Sequence, residues 1–243
     1  MTVAGEVNTR VYIHEFIDII GHQRANYMQH MTANWSPIGQ EQRKQLCYGV
    51  WALIGSTGAW PKTVNIWEHE SWSGLAASFA TEAVGRGAQD PALERWWARA
   101  AEFRSGGIDR ILVPAPWARG IEELCAAGVR GEVYAHELVT VAPGVAADVP
   151  ERARDASELH ARHGWELAGA FTTAMGNDDE ALLLWAIPSW LQWADAEGDR
   201  DLARWRRGIG AATWRRVLLV DAPLCPFRTG RQPARSDRMD WQD

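Results

Sequence analysis

Five short segments in the first half of the chain recur in the same order in the second half. Val11-Tyr12-Ile13-His14-Glu15-Phe16 returns as Val133-Tyr134-Ala135-His136-Glu137-Leu138, 122 residues later. Trp51-Ala52-Leu53-Ile54-Gly55 matches Trp165-Glu166-Leu167-Ala168-Gly169 at an offset of 114, and Ile66-Trp67 with Ser71-Trp72 matches Leu184-Trp185 with Ser189-Trp190 at 118. Leu93 to Trp96 pairs with Leu202 to Trp205, and Ile111 to Pro116 pairs with Leu218 to Pro223. Such order constrains the fold more than any single motif, because each copy must bury its apolar face against its neighbour. Two copies make a pair, not a solenoid.

Each copy reads as strand, helix, strand, strand, helix, strand. Val11 to Phe16 is β-branched and aromatic, while Tyr27, Met31 and Trp35 fall four apart and predict a helix from His22 to Trp35. Val50 to Thr57 and Val64 to Glu68 predict a hairpin around Gly58-Ala59-Trp60-Pro61. Asp90-Pro91 suits a helix start, Gly106-Gly107 its close, and Ile111 to Val113 the last strand. The expected fold class is α+β, with two tandem ferredoxin-like modules forming an intrachain pseudo-dimeric α/β-barrel. Residues 1–116 form the first module, 117–131 a helical linker, 132–227 the second module, and 228–243 a flexible tail. The barrel interior is the expected ligand site.

A net charge of −6 argues against nucleic-acid binding, which rests on concentrated positive charge. Three scattered cysteines, Cys47, Cys125 and Cys225, form no metal or redox pair and read as reduced structural thiols. No leader and no apolar run long enough to span a membrane is legible, so a cytoplasmic protein is expected. Association into a homodimer is allowed but not required, since the second copy supplies the partner surface.

Several of these segments resemble the NIPSNAP branch of the dimeric α/β-barrel superfamily. Asn65-Ile66-Trp67-Glu68-His69-Glu70-Ser71 is similar to that family's Leu-Trp-x-Tyr strand, and Asp90-Pro91 with Trp96-Trp97 to its later helix start. Ile111 to Pro114 resembles its closing strand, and Tyr134 through Pro143-Gly144 has the spacing of its opening strand and Pro-Gly turn. The chain departs from the pattern at Ala135 and Glu137, where the family has Glu and Arg, and at His69, where it has Tyr. The resemblance implies a superfamily of cofactor-free monooxygenases, isomerases, haem peroxidases and haem dehydratases.

Candidate chemistry gathers on histidine. His14-Glu15, His69-Glu70 and His136-Glu137 are not helical zinc-peptidase motifs, and neighbours on a strand point to opposite faces. His69 is the leading general base, with His14, His136 and Glu15 as further catalytic candidates. Strand alternation groups Asn65, Trp67 and His69 on one face, read here as facing the barrel, with Trp51 and Trp185 as aromatic walls. Structural histidines repeated with the fold are the competing reading of His14 and His136. Aligning Trp67 with Trp185 sets Leu183 opposite Asn65 and Ile187 opposite His69, so chemistry is expected in the first copy, with Leu183 and Ile187 excluding water. No metal or cofactor is expected; haem on a helical histidine (His22, His30, His160 or His163) is the lesser alternative. The function read from this is a cofactor-free isomerase, lyase or monooxygenase acting on a hydrophobic or aromatic metabolite by histidine-assisted proton transfer. The alternative is a non-catalytic NIPSNAP-type ligand-binding or interaction protein.

Overall fold

A computed structural model describes residues 7–84 and 88–238. Eight antiparallel strands close into a barrel: β1 Val11–Ile19, β2 Gln45–Leu53, β3 Lys62–His69, β4 Arg104–Pro114, β5 Val133–Thr140, β6 Glu166–Thr173, β7 Glu180–Ile187 and β8 Thr213–Asp221. Their order is β1-β3-β2-β8-β5-β7-β6-β4. The first half contributes β4-β1-β3-β2 and the second β8-β5-β7-β6, two sheets of the same topology. They join edge to edge where Trp51–Leu53 meets Asp221–Leu219, and where Leu112–Pro114 meets Thr173–Phe171. Closure leaves both sheets without a long bare edge.

Helices cover the outside. In the first half α1 Arg24–Gln29 runs through wider π turns, His30–Trp35, into α2 Ser36–Arg43, so the helical stretch extends beyond the expected end at Trp35. Then follow α3 Trp72–Glu82 and α4 Pro91–Ala101, with α5 Ile121–Ala126 in the linker. The second half carries α6 Asp148–Asp155, α7 Ser157–Ala161, α8 Trp190–Glu197 and α9 Arg200–Arg207, and α10 Pro226–Thr229 closes the described helices. Local chemistry sets the matched starts. Ser71 and Ser189 cap α3 and α8, while Asp90 and Asp199 accept two backbone N–H groups each at α4 and α9. Among the described residues no helix is long and apolar enough to cross a membrane.

Register corrects the repeat at one place. Cys47 pairs with Trp67 and Gly49 with Ile66, whereas Leu167 pairs with Trp185 and Gly169 with Leu184. Trp51 therefore corresponds to Phe171, not to Trp165, which sits just before β6 beside Trp185. The barrel interior is packed with rings. Tyr12 meets Tyr48 and Phe171 with centroids 5.4 and 4.9 Å apart, and Trp51 meets Tyr134 and Phe227 at 5.8 and 5.9 Å. A small closed barrel is filled by its own side chains, and this one is. The expected ligand space inside it is occupied by packing.

The tail is docked instead of free as far as Arg238. Gln232 bonds both the N–H and the C=O of Cys47, and Arg235 pairs with Glu41. The rest of the tail, 239–243, lies outside the described residues.

Candidate active site

Strand alternation fixes which candidates share a face. Glu15 stands opposite Asn65 and Ile13 opposite Trp67, while His14 stands opposite Ile66 and Tyr12 opposite Glu68. Tyr12, His14 and Phe16 with Val64 and Ile66 look into the barrel. Asn65, Trp67 and His69 look outward beneath the helices, the reverse of the expected orientation. The physical reason is that the ring-filled interior takes the aliphatic pair, whereas the amide and indole N–H groups find a partner outside, on Glu15. Trp51 is interior and packed. Trp185, Leu183 and Ile187 lie on the outer face of the second half, so Leu183 and Ile187 cannot wall His69. His69 is buried with neither ring nitrogen partnered; burial and the charge of Arg43 lower its pKa to about 4.

Around Glu15 an outward cleft of about 730 Å³ opens between the sheet and helices α3 and α4. Ile13, Ile111 and Trp97 supply apolar walls, and Phe79, Ile108 and Met175 form an exposed apolar rim. Its size suits one small organic ligand. Glu15 Oε2 accepts hydrogen bonds from Asn65 Nδ2 and Trp67 Nε1, both at 2.8 Å, and Asn65 also donates to the Tyr27 hydroxyl. Directly across the sheet from Glu15 stands Asp109. Burial and then the charge of Asp109 push the Glu15 carboxyl above its ordinary range, and desolvation raises Asp109 as well. A neighbouring like charge on the paired strand disfavours ionising Glu15. Arg104 lines the same cleft with its guanidinium 4.6 Å from the centre of the Trp97 ring. Its charge opposes the shifts of both acids. Arg110 bonds Glu180 at 2.6 Å where β4 leaves β6.

The second half inverts this electrostatic arrangement. Glu137 occupies the place of Glu15 and likewise accepts from a tryptophan, Trp185 Nε1 at 3.0 Å. Opposite it in register stands Arg216, where the first half has Asp109. Arg216 Nε donates to Glu137 Oε1 at 2.7 Å and its guanidinium also grips Glu197, with Arg206 a further 3.7 Å neighbour. Leu183 replaces Asn65. Glu137 is fully buried and ion-paired, whereas Glu15 faces a cleft beside a second acid.

His14 and His136 meet at the barrel centre, Nε2 to Nε2 at 2.8 Å, both fully buried. Burial, followed by His136 and Arg110, holds His14 well below its usual range; burial and the charges of Arg110 and Arg215 bring His136 to about 3. They form a neutral contact between the halves and do not line the cleft.

The helical histidines fail as haem ligands. His30 lies flat on Trp96, with centroids 5.0 Å apart, and engages its carbonyl oxygen. His160 stacks on Trp185 at 3.8 Å, His163 pairs with Asp199, and His22 is on the surface. An axial ligand needs a ring nitrogen directed into a haem-sized space, and among the described residues no histidine, cysteine or tyrosine lines the cleft. Among the described residues no three His, Cys, Asp or Glu side chains gather as a metal group.

The fold is mixed α+β, a closed eight-stranded antiparallel barrel covered by helices, and it matches ferredoxin-like dimeric α/β-barrel structures. Solved structures share it: a candidate monooxygenase from Lactobacillus acidophilus (TM-score 0.56, 8% identity, 93% of this chain and 97% of that one). An anthrone oxidase-like protein (0.51, 9%, 88% and 94%) and a candidate chlorite dismutase (0.52, 11%, 90% and 98%) are similar to it too. No family model and no curated protein matches the sequence.

Proposed function

We propose that the first-half cleft is the active site of a small-molecule enzyme that moves a proton on a planar, largely apolar metabolite. Glu15 is the proton acceptor. The observation that carries this reading is the desolvated Glu15 carboxylate, held by Asn65 and Trp67 and facing Asp109 where its counterpart Glu137 is neutralised by Arg216. A raised carboxyl is better matched to proton transfer near neutral pH than an ordinary glutamate. The C–H proton passes to Glu15, and the electron pair stays on the substrate, delocalised into its π system beside Arg104. Isomerisation, elimination and cofactor-independent oxygenation share this first step. The monooxygenase and anthrone oxidase names of the structural neighbours point towards the last of these, on an aromatic substrate. The general base is thus a carboxylate in the cleft in place of a histidine in the barrel.

Turnover of a panel of acidic-C–H aromatic ketones by wild type and Glu15→Gln is the test. Loss of about two to four orders of magnitude is expected for the variant. Unchanged turnover would reject the assignment. The second reading, a non-catalytic NIPSNAP-type ligand-binding or interaction protein, draws on the ring-filled barrel. It is favoured if the wild-type cleft binds such compounds without exchanging their acidic protons with solvent.

A further inference from the structure

Beside the cleft lies a second void of about 30 Å³ lined by Gln45, Trp96, Trp35, Met31 and Arg43. It shares Ile13, Glu15, Glu82, Trp97 and Arg104 with the outer cleft, so the two adjoin. We infer that this annex is a built subsite for a single hydroxyl oxygen.

Three observations lead there. The volume is that of one oxygen-sized group, and enough for a water molecule. Two residues lining it carry buried polar atoms without partners: Oε1 of Gln45, a residue 3% exposed, and Nε1 of Trp96, a residue 1% exposed. Such atoms are costly to leave unmade in a dry interior. Finally, two charged groups at the annex are already engaged. Arg43 donates to Ser78 and Glu82, both at 2.6 Å, and Glu15 Oε2 holds Asn65 and Trp67.

The two buried unpartnered atoms are one donor and one acceptor, and together they point to one kind of ligand. A hydroxyl accepts from the indole N–H and donates to the amide oxygen, satisfying both. A carbonyl oxygen leaves Gln45 unsatisfied, and an ammonium cannot accept from Trp96. The oxygen comes from water, or from a substrate hydroxyl reaching past Glu15. The second source rests on the cleft being the substrate site; the first does not.

The test is a crystal structure of the full chain, ligand-free and soaked with phenol, with toluene as the isosteric control. In solution, affinities for both probes are read by tryptophan fluorescence for wild type, Trp96→Phe and Gln45→Met. In the ligand-free crystal one oxygen is expected within hydrogen-bond reach of both Gln45 Oε1 and Trp96 Nε1. If phenol's oxygen replaces it, the source is the substrate, and wild type prefers phenol over toluene by about 10-fold or more, a preference that collapses in both variants. If the oxygen persists while phenol lies in the outer cleft, the source is water alone. An annex without an oxygen in either crystal, with Gln45 and Trp96 turned to protein partners, overturns the inference whether or not the variants fold. Turnover lost in Glu15→Gln alongside a dry annex would reject this subsite and leave the proposed chemistry standing.

Discussion

At Glu137 the cost of burying a carboxylate is offset by Arg216 at 2.7 Å, whereas Glu15 meets Asp109 and keeps only neutral donors on Oε2. The two positions should respond oppositely to substitution. Glu137→Ala leaves Arg206 without its acid and Arg216 with Glu197 alone, and is expected to cost about 3 kcal/mol in urea denaturation, with turnover retained. Glu15→Gln should lose turnover and none of the stability at pH 7, because a carboxyl whose folded pKa is raised destabilises the fold once ionised. Activity is expected to fall as pH drops through the raised Glu15 value. Asp109→Asn removes the neighbouring charge, so this acid limb should move to lower pH; an unmoved limb would separate Asp109 from the base. Part of this site was legible. The repeat that matches Ile111 with Leu218 also sets Asp109 against Arg216, a charge reversal visible in the letters. What the letters lack is cross-strand register, which alone puts Asp109 opposite Glu15. His69 is singled out because imidazole titrates near neutral pH, yet its place at the end of β3, opposite Val11, leaves it outside the cleft lining.

Among the elements, β2 and β6 were the hardest to match, because each carries a bulge that shifts the pairing by a residue. Identical tryptophans at 51 and 165 suggested one register, and the ladder enforces another. At the two bulges the Tyr48 hydroxyl donates to the Ala168 carbonyl across the barrel. The glycine just after each bulge leaves room for a ring. A Cβ on Gly49 would lie 2.1 Å from the Trp51 ring, and one on Gly169 would lie 2.5 Å from that of Phe171. Gly49→Ala must therefore displace a fully buried indole, with an expected cost of about 1–3 kcal/mol in thermal or urea melts. A melt equal to wild type would show that Trp51 has another place to go. Gly106-Gly107, read as the end of a helix, instead lies within β4, where a Cβ on Gly107 would sit 2.4 Å from the Phe16 carbonyl oxygen. Close backbone approach leaves no mark in hydrophobic periodicity.

For the molecule as a whole, the repeat predicts two like sheets in one chain, and the barrel runs β4-β1-β3-β2 in its first half and β8-β5-β7-β6 in its second. The repeat did not reveal which face would hold the ligand space, since that depends on how many rings the closed barrel absorbs. Four of the buried histidines are His14, His69, His136 and His160. All have lowered pKa values, about 3 for His136 and about 4 for His69 and His160. The unfolded chain therefore binds more protons, and stability should fall as pH drops from about 6.5 towards 3, by up to about 1.4 kcal/mol per pH unit for each buried imidazole. Replacing His14 and His136 together with phenylalanine should flatten that decline in urea midpoints measured across pH. The claim that the two halves have diverged electrostatically is tested most directly by titrating the glutamates with ¹³C NMR, using Glu15→Gln and Asp109→Asn to assign and perturb the signal. Glu15 is expected to titrate above the ordinary glutamate range and to move down when Asp109 is neutralised. A Glu15 that titrates at or below the ordinary range, unmoved by Asp109→Asn, would contradict the assignment of the first-half cleft as the seat of proton transfer.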